Sequence, residues 1–322
     1  MSAHIVNAEL RLFKTSQTCD RGSRKTSAGL RQAAITEDQQ RIEMLREEDR
    51  EEVLAFLARR AKQTFLMTSW IMDNGITSPL NRGIFYGYRN EVGHLEGVAL
   101  IGHVTLFETN NDDALMRFAN LAQQDPSTNT LLGEVERVSR FLSHFTLEDQ
   151  APRLLNRERL FERREPREAL GCGKELRLAV AADLDLIAPV HAQMAFEESG
   201  INPIFVDPEG FYQRCKRRIE QNRVWVSIED GQLMFKADVI SETPEVIYLE
   251  GVYVNPSQRR NGIAVRLLID LTNHLLARAN SVCLLANQEN AAAIACYKKA
   301  GFKVRDLYDT VYLGASSSQR AR

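Results

Sequence analysis

The sequence predicts a mixed α/β fold built twice within one chain, as two tandem copies of a central mixed β-sheet flanked by helices. Two observations carry this. In each half a short strand leads into an amphipathic helix and then a β-hairpin, and the spacing from Asp49 to Gly93 nearly equals that from Asp183 to Gly231. In the second half the apolar pattern then switches repeatedly between the two-residue period of strands and the 3.6-residue period of helices.

The second half reads more clearly. "ELRLAV" alternates as a short strand, and "AADLDLIAPVHAQM" is a helix entered near Asp183. "VWVSIEDGQLMFKADVI" is a hairpin turning at Asp230-Gly231, "SETPE" a second turn and "VIYLEGVYV" a third strand. Leu267, Leu268, Leu271 and Leu275 form one helical stripe, and "SVCLLAN" is a buried strand. "NAAAIACYKKAGF" is a helix that Asn290 caps and Gly301 stops. "FKV" and "TVYL" complete the sheet.

The first half repeats the opening in "IEMLREEDREEVLAFLARR", where Val53 and Phe56 fall on Ile187 and Val190. Its hairpin, "GIFYGYRNEVGHLEGVALIG", turns at Gly93, and a long strand then precedes "ETNNDDALMRFANLA". The word "LEGV" occurs at Leu95 and again at Leu249. The hairpin register matches Leu95 with Leu233, so the two words belong to different strands. Residues 1–36 read as a flexible arm, 37–168 as the first domain, 169–315 as the second and 316–322 as a disordered tail. The boundary is set by the charged stretch around Pro166, Gly171 and Gly173.

The 322 residues suffice for two hydrophobic cores, with 44% hydrophobic and 26% charged residues. A formal charge of −2, from 41 basic and 43 acidic residues, gives no reason to expect binding to nucleic acid or to a membrane surface. The five cysteines, Cys19, Cys172, Cys215, Cys283 and Cys296, are scattered and form no Cys-x-x-Cys pair, so neither a metal site nor a disulfide framework is expected. Reduced thiols, the lack of a signal-peptide core and the lack of a long apolar run point to a cytoplasmic protein.

After "LEGVYV" the chain reads "NPSQRRNGIAVRLL": a strand, a basic loop with a glycine, then a helix. Such a helix start gathers N–H groups at the positive end of the dipole, where a glycine lets a phosphate approach. Arg259 and Arg260 add charge suited to a ligand with several phosphates.

Arg259, Arg260, Asn261, Gly262, Ile263 and Ala264 resemble the Arg/Gln-x-x-Gly-x-Gly/Ala loop of the GNAT acetyltransferases, which cradles the pyrophosphate of acyl-CoA. "NQENAAAIACYKKAGF" is similar to the second GNAT motif, with Asn287, Asn290, Ala293, Tyr297 and Gly301-Phe302 at the family's spacings. The whole chain resembles tandem GNAT proteins, of which mycothiol synthase is one example, with a degenerate first half and an intact second half. The resemblance implies acetyl-CoA as cosubstrate and an amine acceptor, small molecule or peptide. It implies that the backbone of Val252, Tyr253 and Val254 receives the pantetheine arm, that Asn287 and Asn290 lie at the cofactor, and that Tyr297 protonates the departing thiolate.

A base is needed for the attacking ammonium, and Glu250 is the candidate, placed by strand alternation on the face of Val252 and Val254. Glu197 and Glu198 lie where acceptors of this family enter. A non-catalytic acyl-CoA sensor and a mycothiol-synthase-like enzyme are the alternatives. In the first half the corresponding loop carries Glu108, Asp112 and Asp113, which repel phosphate. Laying "TLLGEVERVSRFLSHF" on "CLLANQENAAAIACYKK" puts His144 opposite Tyr297. The first half reads as a scaffold that shapes or covers the acceptor site.

Overall fold

The computed structural model describes residues 41–145, 151–169 and 175–314. The expected arm, the tail and the glycines of the boundary lie outside these residues. The first half runs β1 (Ile42–Met44), α1 (Arg50–Ala58), α2 (Ala61–Asn74), β2 (Gly83–Arg89), β3 (Leu95–Gly102), β4 (Val104–Thr109), α3 (Asp112–Gln124), β5 (Thr130–Glu134), α4 (Val135–Leu142) and β6 (Pro152–Arg163). The second runs β7 (Arg177–Leu178), α5 (Leu184–Ser199), α6 (Pro203–Val206), α7 (Pro208–Glu220), β8 (Val224–Glu229), β9 (Gln232–Glu242), β10 (Ile247–Val254), α8 (Ile263–Leu276), β11 (Val282–Asn287), α9 (Ala291–Lys299) and β12 (Lys303–Leu313). No helix among the described residues is long and apolar enough to cross a membrane.

The internal duplication is visible in local chemistry. The main-chain N–H of Arg46 donates to Asp49 at 2.7 Å, and that of Val180 donates to Asp183 at 2.8 Å. Each aspartate thus closes the turn that launches the first helix of its half. Asp230 and Gly231 both have positive φ, as a two-residue hairpin turn requires, and Gly93 turns the first-half hairpin at φ 84°. Leu95 begins β3 while Leu249 lies in β10, so the repeated word does fall on non-equivalent strands. The long strand expected before "ETNNDD" is instead two strands, β3 and β4, broken at His103. Gly102 there packs against Gly83 so closely that a Cβ would sit 2.5 Å from the Gly83 Cα.

The twelve strands among the described residues form one sheet in the order β1-β2-β3-β4-β5-β12-β6-β11-β10-β9-β8-β7. The last strand of each half has crossed over. β6 pairs antiparallel with β11 of the second half, and β12 pairs antiparallel with β5 of the first, while β6 and β12 pair with each other. The charge-rich stretch before the boundary, not assigned as a strand from sequence, is therefore a central one. Its charges are met across the sheet: Arg157 pairs with Asp309 at 2.9 Å, and Glu162 with Lys62, Arg164 and Arg305 at 2.7 to 3.0 Å.

The crossover ties the cores together. On one face α1 and α2 bring Val53, Phe65 and Trp70 against Ile240, Tyr248, Cys283, Leu285 and Tyr308 in a single apolar cluster. The Phe65 and Tyr248 rings lie 4.8 Å apart, and Ser241 Oγ donates to the Phe65 carbonyl. On the other face α8 and α9 cover β9 to β11, and α3 and α4 cover β3 and β5.

Candidate active site

β10 and β11 are parallel neighbours only at their starts, where Ile247, Tyr248 and Leu249 pair with Val282, Cys283 and Leu284. Beyond Leu249 they part. The cause is a bulge in β10 between Glu250 and Tyr253, centred on Gly251 with φ 60°. The edge of Val252, Tyr253 and Val254 that faces β11 is left open, and backbone amides in mid-sheet require partners. An extended chain bearing amides fits such a gap.

A buried charged group sits behind the bulge. Lys236 Nζ, on a fully buried side chain, donates to Asp238 at 2.6 Å and to the Gly251 carbonyl at 3.4 Å. His191 Nδ1 is 3.5 Å from Asp238. Burial, then the positive charges of Lys236, Arg218 and Arg214, push the imidazole pKa well down, so His191 is neutral. A Cβ on Gly251 would lie 2.9 Å from both Lys236 Nζ and Asp238 Oδ2. Gly251→Ala is therefore expected to cost on the order of 1–3 kcal/mol of stability, read from thermal melts.

The bulge also changes which face each side chain takes. Glu250 was expected beside Val252 and Val254, but the extra residue reverses the alternation. Val252 and Val254 pack with α8 and α9, whereas Glu250 shares the opposite face with Tyr248.

At the mouth of the gap, Asn255 accepts from the N–H of Ser257, and Arg259 Nε donates back to the Val254 carbonyl at 3.2 Å. Arg260 has φ 67° and Gly262 φ 74°, the latter as the N-cap of α8. Arg259, Arg260, Asn261 and Gly262 are exposed, Ile263 is buried and Ala264 half-buried. Among the described residues no side chain caps α8, and nothing lies within 4 Å of where a Gly262 Cβ would be. The helix start is open, basic and free of steric cover. A left-handed arginine costs roughly 1–3 kcal/mol, and the loop keeps that strain where its N–H groups converge.

At the far end of the gap, Asn287 closes β11 and accepts from the N–H of Glu289, while Asn290 caps α9 by accepting from the N–H of Ala293 at 3.0 Å. Both asparagines thus shape the turn that delivers Tyr297. The Tyr297 ring is 2% exposed and packs edge-on against Phe161 of β6 at 5.6 Å. Its core neighbours include Leu249, Val252, Leu284 and Ala286, the residues around the parting strands. Burial pushes the phenol well above its ordinary value, so it holds its proton. Burial likewise pushes Cys296 up to about 11, an unreactive packed thiol.

Residues 192–302 match the model of the acetyltransferase (GNAT) family. The second half carries a GNAT-family domain. Solved structures agree on the fold across both halves. A GCN5-related N-acetyltransferase from Sphaerobacter thermophilus is 13% identical with a TM-score of 0.58, over 84% of this chain and 94% of its own. A tandem GNAT protein from the clavulanic acid biosynthesis pathway is 12% identical with a TM-score of 0.56, over 84% and 98%. A GNAT-family acetyltransferase from Colwellia psychrerythraea is 15% identical with a TM-score of 0.51, over 85% and 99%. No curated protein matches the chain.

The first half keeps the parting strands but fills them. β4 and β5 pair only at Val104–Thr130 and Thr105–Leu131. Beyond that point Arg60, from the corner between α1 and α2, donates to Glu108 at 3.0 Å and Glu134 at 2.7 Å. Arg137 reaches both carboxylates at 3.2 Å and donates to the Thr109 carbonyl. An ion-pair network occupies the cleft, and α3 is capped by Asn111 and opens with Asp112 and Asp113. His144 does not stand opposite Tyr297. β5 runs directly into α4, without a counterpart of residues 288–290, so His144 falls past the helix end. Phe141 takes the place of Tyr297, each seven residues beyond its N-cap, and stacks on Phe107 at 4.3 Å. A phenyl ring carries no proton to give.

The two glutamates expected at the acceptor site separate. Glu197 is exposed and accepts from Gln193 on its own helix, though its charge still reaches Tyr253 at the mouth of the cleft. Glu198 turns inward, with both carboxylate oxygens buried. Sequence reasoning missed Phe161, Glu158, Tyr248 and Tyr312. The alternation of Glu158, Leu160 and Glu162 around Phe161 was the available signal, and its charge density disguised it.

Proposed function

We propose that the chain is an N-acetyltransferase that moves an acetyl group from acetyl-CoA directly to a primary amine, on a small molecule or a peptide. One observation carries this: Tyr297 and Glu250 lie on opposite faces of the sheet at the point where β10 and β11 part. Arg259, Arg260 and the N–H groups of Asn261 to Ala264 hold the pyrophosphate, and the open edge of Val252 to Val254 receives the pantetheine amides. The acceptor ammonium approaches from the Glu250 face, gives one proton to that carboxylate and attacks the thioester carbon as the neutral amine. The adduct nitrogen then loses its second proton to solvent, and Glu250 releases the proton it took to solvent as well. The carbon–sulfur bond breaks as Tyr297 protonates the leaving thiolate, and solvent returns the proton to Tyr297. The free thiols of Cys215, Cys283 and Cys296 accord with the cytoplasm as the proposed compartment.

Thiol release from acetyl-CoA across a panel of primary amines tests the reading, alongside calorimetric binding of acetyl-CoA. Turnover with at least one amine is expected. Tight binding with no turnover on any amine would indicate a sensor. Gly262→Glu is expected to weaken acetyl-CoA binding by at least about a hundredfold, because a carboxylate at this helix start repels the pyrophosphate. Unchanged affinity would mean that the loop does not hold it.

A further inference from the structure

At its bulge β10 carries one more residue than the strand it pairs with. Glu250 lies opposite Asp238 and Tyr253 opposite Lys236, so Gly251 and Val252 together face the single residue Ala237. The irregularity belongs to β10. Over the same stretch β9 keeps an unbroken register with β8, where Val224, Trp225 and Val226 lie opposite Asp238, Ala237 and Lys236. Beyond the bulge the ladder resumes, with Val254 opposite Phe235 and the Asn255 N–H donating to the Met234 carbonyl at 2.9 Å.

An extra residue leaves main-chain groups in mid-sheet without a ladder partner, and buried main-chain groups need one. Lys236 supplies it from the side, its Nζ donating to the Gly251 carbonyl at 3.4 Å. The ammonium is itself fixed. It donates to Asp238 at 2.6 Å, and that carboxylate is flanked by His191 Nδ1 of α5 at 3.5 Å and Arg218 Nη1 of α7 at 3.9 Å. Lys236 and Asp238 are 0% and 1% exposed. Burying such a pair costs about as much as its attraction returns, and apolar residues of similar volume commonly serve stability as well. Core stability is therefore a poor reason for a lysine at this position. Its hydrogen bonds supply a better one, since among the described residues they go to Asp238 and to the carbonyl at the centre of the bulge.

We infer that Lys236 is a positioning residue: anchored by Asp238, it fixes the Gly251 carbonyl and with it the open edge of Val252 to Val254 that receives the pantetheine arm. This rests on the proposed acetyl transfer and adds to it the group that keeps the cofactor gap open. Lys236 acts through the β10 backbone rather than on the reacting atoms.

Such a role affects one half of the cofactor. In the proposed complex the pyrophosphate lies on the loop from Arg259 to Ala264, beyond the resumed ladder, whereas the pantetheine arm lies along the bulged edge. The test is calorimetric titration of the full chain with acetyl-CoA and, separately, with 3′-phospho-ADP, which has the phosphates but no pantetheine arm. In Lys236→Met/Asp238→Leu the affinity for acetyl-CoA is expected to fall at least about tenfold, while that for 3′-phospho-ADP stays within about twofold. Lys236→Gln/Asp238→Asn keeps an N–H donor for the carbonyl without the charges, and is expected to recover most of the loss. Thermal melts show which variants are folded, and Lys236→Met/Asp238→Asn is read in the same way should the apolar pair not fold. Four results would overturn the inference: unchanged acetyl-CoA affinity in a folded Met variant, an equal loss for both ligands, no recovery with Gln and Asn, or failure of both Met variants to fold. Failure of the unaltered chain to bind acetyl-CoA would instead overturn the acetyltransferase reading.

Discussion

Expressed alone, residues 169–322 are expected to be insoluble or unfolded, with no acetyl transfer at any acetyl-CoA concentration. The reason is the crossed strands. β12 pairs with β5 and β6, both from the first half, so the isolated second half leaves its last strand without a ladder on either side. β11 loses the six-residue pairing with β6 that runs from Val282 to Asn287. Phe161, which walls Tyr297, leaves with β6, and so does Arg157, the partner of Asp309. Exposed β edges and an uncovered apolar face together favour aggregation over folding. Circular dichroism and size-exclusion chromatography check this, and co-expression of residues 41–168 with 169–322 is expected to restore a soluble complex. A second half that folds and turns over by itself would show that the exchange of β6 and β12 is dispensable.

This crossing explains which features could be read in the sequence. Local chemistry was legible. The Asp230-Gly231 turn, the Asn290 cap, the left-handed Gly262 and the equivalence of Asp49 with Asp183 each depend on a few neighbouring residues. Long-range pairing was not. Glu158 meets Thr310, and Arg157 meets Asp309, across 152 positions, so a charged stretch with the composition of a linker becomes a central strand. The helix expected in "EDREEVLAFLARR" forms as α1, but a second helix, α2, follows it after a corner at Arg60, whose side chain fills the first-half cleft. Nothing in the helical period signals that the guanidinium turns inward. The bulge at Gly251 is the most instructive case. Glycine there was visible, yet its reversal of the side-chain alternation depends on Lys236 and Asp238 one strand away. That single residue decides that Glu250 shares the face of Tyr248 while Val252 faces α8.

Tyr297→Phe is expected to lower kcat about a hundredfold while leaving the KM for acetyl-CoA within about twofold. The ring packs on Phe161 at 5.6 Å and near Phe302 at 6.3 Å, and phenylalanine preserves both contacts. What is lost is a proton donor at the end of the gap. Burial raises the phenol pKa above 10, so the proton is retained as pH rises, and the unaltered enzyme is expected to keep its kcat up to at least about pH 10. The Phe variant is expected to lack any alkaline limb that begins above that value. Cys296 supplies the control. It neighbours Tyr297 and is also protonated, with a pKa raised to about 11, but one helical position turns it about 100° away, so Cys296→Ala is expected to leave kcat unchanged. Melting temperatures close to that of the parent would show that neither effect is structural. Equal kcat for Tyr297→Phe and the parent would remove the tyrosine from the chemistry, and a loss confined to Cys296→Ala would move the acid role to the thiol.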